Sequence, residues 1–192
     1  MKPEITQCLL DMDGVIADFM SALTTSHKRP TPYTIKENLG IWETEKLWGI
    51  TEDEFWAPIM ADSLNFWSTI PKMPEADEIV EILEKAFGSE NIAILTAASE
   101  DIGSVPGKRA WMMKHFPQFA KRMIFGHAKE FMAAPYRLLV DDRDKNVAKF
   151  AKAGGKTILI PRPWNSAHEY DNVLIPSLRS DLGALGLIIG DK

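Results

Sequence analysis

In the stretch ITQCLLDMDGVIADF, residues 5–19, an apolar run ends in two aspartates one residue apart, Asp11 and Asp13, followed by Gly14. If the run is a strand, residues i and i+2 emerge on one face, so the two carboxylates are expected to point the same way. At the carboxyl end of a buried parallel strand, where open α/β sheets place their ligands, two such groups should not both stay ionised without a counter-charge. A divalent cation is the candidate. Two more apolar runs end in polar groups: NIAILT, 91–96, in Thr96, and RLLVD, 137–141, in Asp141 with Asp142 after it. Lys108 and Lys129 fall in the segments between. Each group alone has an ordinary explanation, as a helix cap, a turn residue or a solvated charge. Four carboxylates, a hydroxyl and two ammonium groups in this order at one sheet edge are a large concentration of charge for a structural role.

The elements that must position them alternate between strand and helix. After the first strand, Ile16, Phe19, Met20 and Leu23 have helical spacing, which predicts a helix over Val15 to about His27. Residues 75–87 repeat that pattern with Ile79, Ile82, Leu83 and Phe87, ahead of a capping Gly88. Helices are also expected over 106–116, with Lys108 in the first turn, over 145–153, and over about 177–187 on the outside. Short apolar runs at 91–96, 122–125, 137–141 and 156–160 read as buried strands. This order predicts an α/β fold, a doubly wound parallel sheet with right-handed crossovers.

Residues 28–73 differ in character. Prolines at 30, 32, 58 and 71 punctuate them, and four of the six tryptophans, at 42, 48, 56 and 67, fall inside. The segment reads as a small helical cap inserted after the first strand, leaving 1–27 and 74–192 as the α/β core. Its aromatic residues either build a small core of their own or line a cleft over Asp11.

Bulk composition narrows the classes of partner. The 192 residues suffice for one core with an insertion, and 45% apolar with 26% charged residues is ordinary globular composition. With 22 Lys and Arg against 27 Asp and Glu, the net charge of −5 lacks the basic footprint of a nucleic-acid-polymer binder, so an anionic substrate must be small and met by local cations. The single cysteine, Cys8, lies in the first apolar run and reads as a small buried hydrophobe. MKPEITQ has neither the apolar core of a signal peptide nor the character of a transit peptide, and no stretch approaches the ~20 apolar residues of a membrane span. A cytoplasmic location is expected. A homodimer is compatible with the sequence.

Taken in order, Asp11-Met12-Asp13-Gly14-Val15, Ile94-Leu95-Thr96, a lysine, and Leu138-Leu139-Val140-Asp141-Asp142 resemble the four motifs of the haloacid dehalogenase (HAD) superfamily of phosphotransferases. DMDGVIADF, NFWSTIPKMPEADEIVEIL, ILTA, GKRAW with the following His115, residues 122–129 and LLVDDRDKNV are similar to the 5'(3')-deoxyribonucleotidases. The similarity runs through the first strand and helix and nearly all of 65–160. It does not clearly extend to 28–64 or past Pro161.

This resemblance implies a Rossmann-like core and a Mg²⁺-dependent phosphomonoesterase acting on nucleoside monophosphates, deoxyribonucleotides first. Asp11 would be the nucleophile that forms an aspartyl-phosphate, and Asp13 the acid and then the base. Asp11, the backbone carbonyl of Asp13 and one of Asp141 and Asp142, with Asp142 favoured, would hold Mg²⁺. Thr96, Lys108, Lys129 and the backbone N–H groups around Gly14 and at Ala97 would bind the phosphate. Phe19, Phe66 and Trp67 would line the substrate pocket, with Phe66 and Trp67 as plain cap core the alternative. The chain departs from that pattern at Ala97, where relatives often carry Ser or Thr, and at His127, where they often carry Arg.

Other readings are a phosphatase for another small phosphate ester, a receiver-type phospho-acceptor domain and an idle binding protein of the same fold. Receiver domains place the phosphorylated Asp after the third strand and need no cap, whereas here the strand that follows the insertion ends in Thr96.

Overall fold

The computed structural model describes residues 4–187. Its centre is a five-stranded, wholly parallel sheet in the spatial order third, second, first, fourth, fifth. In chain order the elements are β1 (Gln7–Leu10), α1 (Phe19–His27), α2 (Thr44–Trp48), α3 (Glu52–Ala61), α4 (Ser63–Thr69), α5 (Ala76–Phe87) and β2 (Ile92–Thr96). Then follow α6 (Ser104–His115), β3 (Met123–Phe125), β4 (Arg137–Asp141), α7 (Asp144–Lys152), β5 (Lys156–Leu159) and α8 (Leu174–Ala184). Since β1 lies between β2 and β4, the winding reverses at its carboxyl end, where such sheets form their ligand crevice.

Alternation along the strands divides the core into two layers. Cys8, Leu10, Ile92, Ile94, Leu138 and Val140 face one way and join Leu23 of α1, Ile79 and Leu83 of α5, Trp111 of α6 and Leu178 of α8. Leu9, Leu95 and Leu139 face the other way, onto Phe150 of α7. Each inner strand is thus buried on both faces, which is why it reads in sequence as a continuous apolar run. Cys8 is fully buried, and burial pushes its thiol up out of the range where it would ionise. No helix of the described residues is long and apolar enough to cross a membrane.

One expectation changes, and one of two alternatives falls away. The first helix begins at Phe19, not Val15, because residues 13–17 form a tight loop in which the Met12 carbonyl accepts from the N–H groups of Ile16 and Ala17, both at 2.9 Å. Asp18 then caps the helix through the Ser21 N–H. The aromatic residues of 28–73 do not form a separate core. Phe55, Ile59, Phe66, Trp67 and Ile70 are continuous with the apolar layer under the sheet. Close approach of α4 to α6 makes this so, and Gly103 and Gly107 permit it: a Cβ on either would run into Ser63 or Trp67 of α4.

Candidate active site

The ends of β1, β2 and β4 converge at the carboxyl edge of the sheet. Leu10 pairs with Ile94 and with Val140, and the Asp11 N–H continues the ladder to the Val140 carbonyl at 2.9 Å. Asp11 therefore lies beside Asp141. By parity their side chains belong to the α7 side, as Leu9 and Leu139 do, and the segment from which Lys129 comes packs against α7. Lys129 Nζ lies 2.8 Å from Asp11 Oδ2 and 2.6 Å from Asp141 Oδ2. It is 2% exposed. Burial alone would lower its pKa, but the two carboxylates outweigh burial and raise it.

Strand alternation does not reach Asp13, because the chain leaves the sheet after Asp11 and turns at Gly14. The two aspartates consequently meet different lysines. Asp13 pairs with Lys108, which comes from α6 on the opposite side of the sheet. Lys108 also donates to the Thr96 hydroxyl at 3.1 Å and to the Ala97 carbonyl at 2.5 Å. Two buried ammonium groups thus enter one crevice from the two faces of the sheet. Burial raises the Asp13 carboxyl above the usual range, against the pull of Lys108. Among the described residues, Asp13 Oδ1 is the buried side-chain atom left without a hydrogen-bond partner.

Asp11, Asp141 and Asp142 each offer one carboxylate oxygen, all within 4.8 Å of one another, and all three residues are buried. Burial and the nearby Asp11 charge push Asp141 up to about 6, and burial with both other carboxylates raises Asp142 well above its ordinary value. Lys129 brings a single positive charge to three carboxylates. An oxygen-only donor set with surplus negative charge fits a hard divalent cation. The two neighbours differ in how they are held. Asp141 is consumed by the protein, accepting from Lys129, from the Arg143 N–H at 2.9 Å and from Asn146 Nδ2 at 3.1 Å. Asp142 accepts on Oδ2 from the Trp164 indole at 2.6 Å, and its Oδ1 has no hydrogen bond among the described residues.

Gly14 serves the loop in a different way from the one its sequence suggests. Its N–H is donated to the Ala17 carbonyl at 2.8 Å, and the Met12 N–H to Asp11 Oδ1 at 2.8 Å, so both are engaged within the chain. Its backbone has φ 72°, and a Cβ there would overlap the Asp142 carboxylate.

Around the crevice, Phe19 stacks on Trp67 with ring centroids 5.6 Å apart and meets Phe66 edge-on at 5.9 Å. Lys108 sits 4.6 Å from the Trp67 ring centroid, so the aromatic cluster touches the phosphate-binding candidates. Phe66 and Trp67 are 8% and 2% exposed; Phe19 is only partly buried. Asp101, after β2, gathers Ser63 and the Trp67 indole of α4 together with Ser99 and the Gly103 N–H. Burial alone would raise this carboxyl; the donated hydrogen bonds outweigh it and hold it below the usual range. Asp101→Ala is expected to cost about 1 kcal/mol at neutral pH, since the site is partly open to solvent. Because the folded value is lowered, this contribution is complete above the ordinary carboxylate range and lost as pH falls through the lowered value. Thermal melts of both proteins between neutral and acid pH should therefore converge.

Sequence reasoning missed Arg162, Trp164 and Asn165. The Arg162 guanidinium donates to the Gly14 carbonyl at 2.6 Å, and Asn165 Nδ2 donates to the Asp142 carbonyl at 2.8 Å. A signal was present: the run PRPWN, residues 161–165, with Arg162 and Asn165 in it, follows the last strand and so falls at the same sheet edge.

A family model described as 5' nucleotidase, deoxy (pyrimidine), cytosolic type C protein matches residues 5–175. The mitochondrial 5'(3')-deoxyribonucleotidase of Mus musculus is 26% identical over 181 residues, covering 89% of this chain and 78% of its own. Its Homo sapiens counterpart is 28% identical over 145 residues, covering 70% and 61%. Among solved structures, a HAD family hydrolase from Deinococcus radiodurans R1 with bound phosphate and sodium aligns over 100% of both chains with a TM-score of 0.59. At 13% identity that likeness speaks to the fold alone.

Proposed function

This chain belongs to the 5' nucleotidase, deoxy (pyrimidine), cytosolic type C family of phosphatases, and from that membership we propose that it hydrolyses deoxyribonucleoside monophosphates in two steps through Asp11, with Mg²⁺. The observation that carries the reading is the arrangement at the end of β1, where Asp11 and Asp13 each meet a buried lysine from a different face of the sheet. In the first step an Asp11 carboxylate oxygen attacks phosphorus, the ester P–O bond breaks, and the leaving alkoxide takes its proton from Asp13. In the second, water attacks the aspartyl-phosphate and gives its proton to Asp13, the bond to Asp11 breaks, and inorganic phosphate leaves. The raised pKa of Asp13 favours the protonated form that the first step needs.

Lys108, Lys129 and the Thr96 hydroxyl line the space for the phosphoryl oxygens, and Lys129 holds Asp11 in place. Asp11, Asp142 and the Asp13 backbone carbonyl would hold Mg²⁺, with Asp141 behind them. Bound there, the cation would polarise the phosphoryl group and offset the carboxylate charge. Residues 28–73 act as the cap, with α4 seated on α6 and the exposed side of Phe19 turned to the base.

Stacking on an aromatic ring contributes about 1 to 3 kcal/mol per base. Phe19→Ala is accordingly expected to lower kcat/KM for nucleoside monophosphates by roughly 5- to 150-fold while sugar phosphates change little. The burial of Phe66 and Trp67 favours a second reading, in which the pocket takes a smaller phosphate ester. A steady-state panel of nucleoside monophosphates and sugar phosphates with Mg²⁺ separates the two. Preference for nucleotides, lost in Phe19→Ala, supports the first reading; equal or better turnover of sugar phosphates, unchanged by the substitution, supports the second.

A further inference from the structure

Asp142 is gripped from behind. Its carboxylate lies against Gly14, in the space that a Cβ would fill, and Trp164 Cζ2 borders the same space. The Trp164 indole donates to Oδ2 at 2.6 Å, and the next residue, Asn165, ties down the Asp142 carbonyl at 2.8 Å and the Ile160 carbonyl at 2.8 Å. The loop that carries them is itself braced. The Asn165 side-chain oxygen accepts from the Ala167 N–H at 3.0 Å, and the Pro163 carbonyl accepts from the Gly40 N–H at 2.8 Å. Trp164 is 8% exposed, and its ring lies 5.8 Å from that of Tyr33. A buried indole N–H can only donate, and a carboxylate can meet it with either oxygen.

We propose that Trp164 is a positioning residue for the cation site: by occupying Oδ2 of Asp142 it fixes the rotation of that carboxylate and presents Oδ1 to the metal. The inference rests on the reading of Asp142 as a direct ligand. It explains why two adjacent aspartates differ, Asp141 being filled by protein donors and Asp142 half filled. Without the indole the carboxylate turns freely between Gly14 and the crevice, and the cation must order it on binding. Groups that orient metal ligands from behind are worth about 10- to 100-fold in metal affinity.

Calorimetric titration of the substrate-free protein with Mg²⁺ tests this on the wild type, Trp164→Phe and Trp164→His. Trp164→Phe is expected to weaken Mg²⁺ binding by about 10- to 100-fold and to raise the half-saturating Mg²⁺ concentration for turnover by the same factor. Trp164→His, which restores an N–H donor, should recover part of the loss. A second measurement needs no variant: the assigned Trp164 indole N–H resonance of the wild type should exchange slowly with solvent and shift on Mg²⁺ addition with the calorimetric Kd. Unchanged Mg²⁺ affinity in a folded Trp164→Phe protein, or a freely exchanging indole that ignores Mg²⁺, would overturn the proposal and leave the phosphatase reading intact. Conversely, weakened Mg²⁺ binding in Trp164→Phe together with no turnover of nucleotides by the wild type would support the role of Trp164 and sink the substrate reading.

Discussion

Replacing Asp11 by Asn is expected to lower kcat for nucleoside monophosphates by about 10⁴-fold or more while leaving the fold in place. The amide is close to isosteric and keeps an oxygen for the Met12 N–H, which Asp11 Oδ1 accepts at 2.8 Å. It gives up the charge that Lys129 neutralises at 2.8 Å, and that same charge raises Asp13, Asp141 and Asp142. One favourable and three unfavourable interactions are removed together, so the melting temperature should stay close to that of the wild type. Chemistry has no such compensation, because a neutral amide neither attacks phosphorus nor leaves from it. Circular dichroism melts beside steady-state rates separate the two effects. Full activity of Asp11→Asn would end the assignment of the nucleophile.

Asp13→Asn is expected to cost about 10²- to 10⁴-fold, by an amount that depends on the leaving group. A nucleoside alkoxide needs the proton that Asp13 supplies, whereas an activated aryl phosphate departs without one. The first step should therefore survive in the variant for the aryl ester and fail for the nucleotide. The second step loses its base with either substrate, so phosphorylated protein should accumulate from the aryl ester. Rapid-quench kinetics with the two substrates reads this directly. An equal loss for both would show that Asp13 acts through structure, for example by holding Lys108, and not by proton transfer.

The residues that could be read from the sequence are those whose position follows from local pattern. Cys8, Leu9 and Leu10 form an apolar run because β1 is buried on both faces, so the ends of such runs locate Asp11, Thr96 and Asp141 at one edge. Partnerships across the fold were not legible in this way. Lys108 and Asp13 are 95 residues apart in the chain, and which lysine meets which aspartate follows from α6 covering one face of the sheet and α7 the other. Alternation also misled at Asp13, because the chain has already left the sheet after Asp11, ahead of the turn at Gly14. For the insert aromatics a separate core and a cleft lining stayed equally open, because sequence does not reveal that Gly103 and Gly107 let α4 settle onto α6. Nothing local in the sequence ties Trp164 to its partner, Asp142, 22 residues away at another strand end.

The covalent role of Asp11 is tested most directly by acid-quenching Asp13→Asn during its first turnover of an activated aryl phosphate with Mg²⁺, followed by peptide mass spectrometry. The result expected is one phosphoryl group on the peptide that contains Asp11, formed before steady state and absent when Asp11→Asn is added to the same protein. Phosphate release with no phosphorylated peptide at any time, or a phosphoryl group on another residue, would contradict the account.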